Sequence, residues 1–214
     1  MKKIKVGITQ RVDTISEYGE NRDAVDQNLI RWVVDAGYVP VPIPNSLVTL
    51  RSIKQSESQL EWWVNELNIN VLLLSGGEDI GVIALRDLTE SCLLKWAKRS
   101  NIPVLGLCRG MQMMGVWSGG RLVEIEGHVR TRHYLEFPSD QSNDWPGDVN
   151  SFHNKGFMQC PESFNILASS EDGVIEAFRH KKMAWEGWMW HPEREKLFTQ
   201  NNIIRFKGLI NNGT

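Results

Sequence analysis

Ile102-Pro103-Val104-Leu105-Gly106-Leu107-Cys108-Arg109-Gly110 joins an apolar run to a helical pattern over residues 109–117, with a glycine-flanked cysteine at the junction. A short apolar run bounded by turn residues reads as a strand buried on both faces, and such strands belong to parallel sheets covered by helices. A tight strand-to-helix turn lifts its central side chain out of the sheet, and it needs small neighbours because adjoining backbone comes too close for a Cβ. At the first turn of a helix, the unpaired N–H groups and the dipole favour a thiolate, and Arg109 adds positive charge beside Cys108. The stretch therefore points to an architecture and to a nucleophile together.

Outward from this junction, strand and helix keep alternating. Residues 4–9 are β-rich, a polar stretch follows, and residues 23–36 carry Val25, Leu29, Trp32 and Val33 on one helical face before the stop at Gly37. Val39-Pro40-Val41-Pro42-Ile43-Pro44 is extended, and its prolines, lacking an N–H, place it at a sheet edge. Residues 60–67 and 85–99 read as helices and residues 70–75 as another buried strand. Beyond Gly119-Gly120 turn residues dominate, and irregular structure is expected to about residue 165, with a polar loop at 138–147 as a candidate lid. Strand-like segments at 166–169, 174–179 and 184–190 then form a meander, and a last helix covers 195–209. Residues 1–214 are expected to form a single α/β domain: a mostly parallel central sheet, helices on both faces, a small additional antiparallel sheet, and a site at the carboxyl ends of strands.

Composition narrows the function classes. With 24 Lys plus Arg against 26 Asp plus Glu, the chain has no basic excess that would favour nucleic acid. The longest clean apolar run, Val71-Leu72-Leu73-Leu74, is far short of the ~20 residues that span a bilayer, and the start Met1-Lys2-Lys3 leads into no signal-peptide core. A cytoplasmic protein without membrane association is expected. Three cysteines, at 92, 108 and 160, form no C-x-x-C pair, so neither a disulfide framework nor a zinc knuckle is written here. His128 and His133 are five apart, with no carboxylate or cysteine completing a recognisable ligand set, so no metal is expected. No dinucleotide fingerprint or phosphate-binding G-K-[ST] loop occurs, and no cofactor is expected. The tryptophans at 32, 62, 63 and 96 lie on amphipathic stretches and read as core, as does the default for Trp145 and Trp188 over a base-stacking role.

A nucleophilic cysteine needs a base, and the base needs an orienting group. Trp190-His191-Pro192-Glu193 supplies both, because residues i and i+2 of an extended chain project to the same side. Acyl transfer also needs N–H donors for the oxyanion. The amide of Arg109 is one candidate, and Gly77 in Ser75-Gly76-Gly77-Glu78-Asp79 is the other. Viewed singly, Cys108 also fits a packing residue, His191 a strand-end histidine, and Gly76-Gly77 an ordinary strand exit.

Six blocks in order carry a resemblance: Ser75-Gly76-Gly77-Glu78-Asp79-Ile80, Gly106-Leu107-Cys108-Arg109-Gly110-Met111-Gln112, Gly119-Gly120-Arg121-Leu122, Val149-Asn150-Ser151-Phe152-His153, Asp172-Gly173-Val174-Ile175-Glu176-Ala177 and Trp190-His191-Pro192-Glu193. The sequence resembles the class I glutamine amidotransferase-type domains, and among them the γ-glutamyl hydrolases of the peptidase C26 group. The resemblance implies their flavodoxin-like fold and a thioester mechanism on a small γ-glutamyl conjugate. Cys108 would attack the γ-glutamyl amide, His191 would protonate the leaving nitrogen, Glu193 would orient His191, and water would release glutamate. Gln112 and Ser151-Phe152-His153 would hold the glutamyl α-amino and α-carboxylate groups.

Where relatives often read His-His-Gln, this chain has His153-Asn154-Lys155. Lys155, with Arg130, Arg132 and His133, adds positive charge and fits an anionic leaving group, phosphate-bearing and nucleotide-linked; a solvated loop accounts for the same charges. Two other functions stay open. One is a glutaminase that passes ammonia to a synthase partner, and the other is a redox sensor built on Cys108.

Overall fold

In a computed structural model, which describes residues 3–138 and 145–211, thirteen strands and five α-helices are defined. The strands are β1 (Lys5–Thr9), β2 (Arg11–Ile15), β3 (Glu20–Ala24), β4 (Val39–Ile43), β5 (Val71–Leu74), β6 (Val104–Leu107), β7 (Val123–Glu124), β8 (Val129–Tyr134), β9 (Asp148–Phe152), β10 (Lys155–Gly156), β11 (Phe164–Ser169), β12 (Ile175–His180) and β13 (Trp185–Trp188). The helices are α1 (Gln27–Asp35), α2 (Ile53–Glu66), α3 (Ala84–Ser100), α4 (Arg109–Trp117) and α5 (Gln200–Asn211). Seven strands form one sheet in the order β11-β12-β13-β6-β5-β1-β4. Neighbours from β13 through β4 run parallel, and β12 and β11 extend the sheet antiparallel.

Strand alternation divides the core between the two faces of this sheet. Val71 and Leu73 of β5, with Leu105 and Leu107 of β6, pack with Leu29 and Trp32 of α1 and Phe206 and Leu209 of α5. Leu72 and Leu74, with Val104, face Leu60 and Val64 of α2, Leu93 and Trp96 of α3, and Met111 and Met114 of α4. Both faces are covered, which is why β5 and β6 read as unbroken apolar runs. Pro40 and Pro42 sit on β4, the edge strand, whose other side needs no ladder donor.

The sheet brings β5, β6 and β13 together as parallel neighbours, so the segments that leave their carboxyl ends, beginning at Ser75, Cys108 and Met189, emerge side by side. That juxtaposition creates the site. Close packing beneath it depends on Gly110, where an added Cβ would fall 2.1 Å from the Leu74 carbonyl oxygen. Backbone cannot yield as a side chain does, so Gly110→Ala is expected to destabilise by about 3 kcal/mol, read as a thermal midpoint lowered by roughly 6–12 °C.

The structure corrects several expectations. Residues 11–24 form a β2–β3 hairpin rather than a polar loop, and α1 begins at Gln27 with Asp26 as its N-cap, not at residue 23. The hairpin is exposed on most positions of both strands, so no apolar alternation marks it. α2 starts seven residues before the expected position 60, capped by Ser52, because its first two turns are polar. The stretch from 119 to 165, expected to be irregular, contains β7–β10, and the final helix starts at 200, after a single 3-10 turn at Pro192–Arg194. The meander β11-β12-β13 belongs to the main sheet; the small antiparallel sheets are β2–β3, β7–β10 and β8–β9. Trp62 is exposed, whereas Trp145 and Trp188 are buried in the core against Trp190, which leaves them no base-stacking face. Most of the candidate lid, residues 139–144, lies outside the described residues. No helix among the described residues is long and apolar enough to cross a membrane.

Candidate active site

Cys108 is the residue between β6 and α4, and its backbone has φ 50° and ψ −108°, a conformation that side chains other than glycine seldom adopt. Its N–H donates to the Trp188 carbonyl oxygen of the adjacent β13 at 2.7 Å, which pins the turn to the strand that leads to His191. The imidazole Nδ1 of His191 lies 2.7 Å from Glu193 Oε1, and Cys108 is the other group whose charge acts on the ring. With Nδ1 taken by the carboxylate, Nε2 is the nitrogen left for the sulfur. Burial alone would lower the His191 pKa, but the charges of Cys108 and Glu193 and their hydrogen bonds outweigh it and raise it to about 10. The structure brings Cys108, His191 and Glu193, the trio expected from sequence, together in the interior.

Asn150, on β9, fixes the His191 backbone from both sides. It donates from Nδ2 to the His191 carbonyl oxygen at 2.8 Å and accepts from the His191 N–H at 3.0 Å. Phe152 meets the imidazole edge-on at 5.9 Å. Gly76 lies against the ring, since a Cβ there would fall 2.5 Å from His191 Cε1. Gly77, the expected oxyanion donor, has φ 149° and occupies the same turn.

This turn is anchored by a buried ion network that sequence reasoning missed. Arg86, on α3, donates to the carbonyl oxygens of Ser75 and Gly76 and to the carboxylates of Glu78 and Glu90. Glu90 also pairs with Arg109 and accepts from Thr9 Oγ1. Burial pushes the Glu90 carboxyl up, and Arg109 and Arg86 outweigh it, so its pKa is lowered. Arg86 and Glu90 are spaced i, i+4, a pattern that reads as a surface pair, and both are fully buried. The Arg109 charge is likewise neutralised by Glu90 and Asp87, which corrects the expectation that it acts on the cysteine as a free cation; its backbone N–H remains the oxyanion candidate.

The expected substrate-binding residues divide. Alternation along β9 turns Phe152 outward, 39 % exposed, and Ser151 inward. The Ser151 hydroxyl donates to the His128 carbonyl oxygen, and the nearby His153 is buried with Nδ1 on the Lys155 carbonyl oxygen, so these two side chains face the interior rather than a ligand. Gln112 donates from Nε2 to that same carbonyl oxygen at 2.9 Å. Lys155 pairs with Asp79 at 2.7 Å and bridges β10 to the Gly76-Gly77 turn instead of presenting a free charge. Arg132 is held by Asp148 and Glu195. His133 lines a different pocket, with Ser170, Glu171 and Asp172, its ring is 4.0 Å from that of His128, and burial lowers its pKa.

Beside Phe152 and Asn150 opens a cleft of about 720 Å3, also lined by Arg130, Arg132, Arg194, Lys196 and Glu195. Arg130 is the extra residue of a bulge in the β8–β9 pairing and has φ 56°. Arg194 lies over the Phe152 ring at 4.6 Å. Of the other two cysteines, Cys92 is buried and Cys160 half-buried, and burial raises both thiol pKa values.

A cysteine at a strained strand-to-helix turn, beside a His–Glu pair in the segment that leaves the next parallel strand, fits a domain of the class I glutamine amidotransferase fold. The chain belongs to the Peptidase C26 family, which it matches over residues 5–193. It is 28% identical over 209 residues to the gamma-glutamyl-CDP-amidate hydrolase of Campylobacter jejuni subsp. jejuni, covering 94% of this chain and 95% of that protein. It is also 28% identical over 157 residues to a glutamine-hydrolysing GMP synthase subunit of Methanocaldococcus jannaschii, covering 72% of this chain and 80% of that one. A crystal structure of a glutamine amidotransferase from Thermotoga maritima superposes with a TM-score of 0.65 at 16% identity, covering 99% of this chain and 86% of that structure.

Proposed function

We propose that the protein is a cysteine hydrolase of γ-glutamyl amide bonds. The observation that carries this reading is the strained Cys108 held beside the His191–Glu193 pair. Cys108 sulfur attacks the γ-carbonyl carbon, the carbonyl electrons move to oxygen, and the amides of Arg109 and Gly77 receive the oxyanion. Collapse of this intermediate forms the thioester and breaks the C–N bond, while His191 gives its proton to the departing nitrogen. Water, deprotonated by His191, then hydrolyses the thioester to glutamate and restores the thiol. Glu193 keeps the imidazole oriented throughout.

The leaving group we assign is anionic and nucleotide-linked, as in γ-glutamyl-CDP-amidate. Arg130, Arg194 and Lys196 line the cleft beside Phe152 in addition to the paired Arg132 and Glu195, and the Campylobacter relative bears that substrate in its name. Arg130, Arg194 and Lys196 replace Lys155, Arg132 and His133 as the residues that meet the phosphates. Glutamate release from γ-glutamyl-CDP-amidate and from glutamine, by the purified protein alone, tests the reading. A kcat/KM for the conjugate at least ~100-fold above that for glutamine supports it; a preference for glutamine that emerges only with an added synthase partner would support the GMP synthase-like role instead.

Arg130→Gly separates charge from backbone, because glycine accepts the left-handed conformation that Arg130 holds at φ 56°. The substitution is expected to raise KM for the anionic conjugate by about tenfold and leave KM for glutamine unchanged. Relief of the backbone strain should add about 1 kcal/mol of stability at the same time.

A further inference from the structure

On the side of β9 opposite Phe152, three residues far apart in sequence converge in the interior: His128 at the foot of β8, His153 just beyond β9, and Glu176 on β12. One ligating atom from each lies within 4.8 Å of the others, and all three residues are buried. His128 Nδ1, His153 Nε2 and both Glu176 carboxylate oxygens lack a hydrogen-bonding partner. So does His133 Nε2, on a ring whose centroid is 4.0 Å from that of His128. Buried polar atoms are ordinarily satisfied, so this many at one spot call for an occupant.

The outer nitrogens of the two rings are already committed. His128 Nε2 is 2.8 Å from Asp172 Oδ2, and His153 Nδ1 is 3.1 Å from the Lys155 carbonyl oxygen. In the neutral form each ring would carry its N–H outward and its lone pair inward, the arrangement by which carboxylates and carbonyls orient metal-binding histidines; without an ion, Glu176 and Asp172 raise the His128 pKa instead. Asp172 is itself held by Ser170. The inner separations, His128 Nδ1 to Glu176 Oε1 at 3.4 Å and His153 Nε2 to the same oxygen at 3.5 Å, are long for hydrogen bonds. They match the spacing of about 3.3 Å between two ligands that bind one tetrahedral ion at about 2.0 Å.

We propose that His128, His153 and Glu176 form a structural site for one divalent transition ion of the Zn2+ class. Two imidazoles and a carboxylate are borderline-hard N and O donors, which suit Zn2+ and exclude a thiolate-type site. The ion ties the β8–β9 hairpin, which carries Phe152 and Arg130, to β12 of the central sheet. It supports the wall of the active site and takes no part in turnover. The separation of the two histidines by 25 positions, and of Glu176 by another 23, explains why His128 and His133 alone showed no ligand set; Glu176 is the carboxylate that completes it.

The test is Zn2+ titration of the chelator-stripped full chain against a chromophoric competitor, with thermal melting and X-ray absorption of the loaded protein. The site predicts one tight equivalent, a midpoint raised by roughly 5–10 °C at saturation, and an all-N/O coordination shell. The equivalent should persist in Cys108→Ala and vanish in Glu176→Gln and His153→Gln. Absence of tight binding, or a sulfur in the coordination shell together with loss of the equivalent in Cys108→Ala, would overturn the proposal. The absorption spectrum of the unmutated protein decides this even where the interior variants do not fold.

Discussion

Cys108→Ala abolishes glutamate release, lowering kcat/KM by about 10^4-fold or more, while the thermal midpoint stays within a few degrees of the parent. The first half follows from covalent catalysis. With no sulfur to form the thioester, the proposed oxyanion donors and His191 can act only on water, and their residual contribution is small against the whole. The second half follows from the turn, whose position is set by the Cys108 N–H on the Trp188 carbonyl oxygen and by the contact of Gly110 with Leu74, neither of which involves the sulfur. Glutamate assays alongside thermal melts check both. A variant that keeps its rate removes the mechanism, and one that unfolds shows that Cys108 is a packing residue.

His191→Ala is expected to lower kcat by about 10^3-fold, since general acid–base catalysis supplies roughly that much. The pH profile identifies its role more sharply than the loss does. The His191 pKa is raised to about 10, so the imidazolium persists across neutral pH and is lost only as pH climbs through that value. In the unmutated protein the alkaline limb of kcat/KM should therefore fall near pH 10, far above that of an ordinary imidazole. In Glu193→Gln one of the two negative charges that raise the pKa is gone, and the limb should move to lower pH with a reduced maximum. A limb that stays put in Glu193→Gln would show that the carboxylate does not act on the ring.

Much of this arrangement was legible in the residues, and the reasons are physical. β5 and β6 are buried on both faces by the helices of two core clusters, so burial wrote itself into Val71-Leu72-Leu73-Leu74 and Val104-Leu105-Gly106-Leu107 as apolar runs. The elbow was equally readable, because a turn that crosses the sheet so closely needs Gly106 and Gly110 whatever surrounds it. Structure that depends on partners distant in sequence was hidden. β2 and β3 pair through backbone with exposed polar side chains, and β8 and β9 carry a bulge that breaks their alternation. Ionic partners were misread for the same reason: Lys155, Arg132 and Arg109 are free cations in a linear reading, and each meets a carboxylate that only the fold brings near. Asn150 lies in the block over residues 149–153, yet its clasp on the His191 backbone has no local signature.

The same dependence explains how one elbow serves different ends. A free-standing hydrolase and an amidotransferase glutaminase share the Cys–His–Glu relay, and the leaving group separates them. Here the cationic cleft is lined by Phe152 and Asn150, both of which also touch His191, so the proposed phosphate site would adjoin the proposed proton donor. A redox sensor built on Cys108 would require neither the cleft nor the His191–Glu193 pair.

The most direct measurement is mass spectrometry of the protein acid-quenched during turnover of a γ-glutamyl conjugate, with peptide mapping of the acyl group. The account predicts a glutamyl thioester on Cys108 that disappears when substrate is exhausted and is absent in Cys108→Ala. Continued glutamate release with no acyl group on Cys108, or acylation of Cys92 or Cys160 instead, would contradict it.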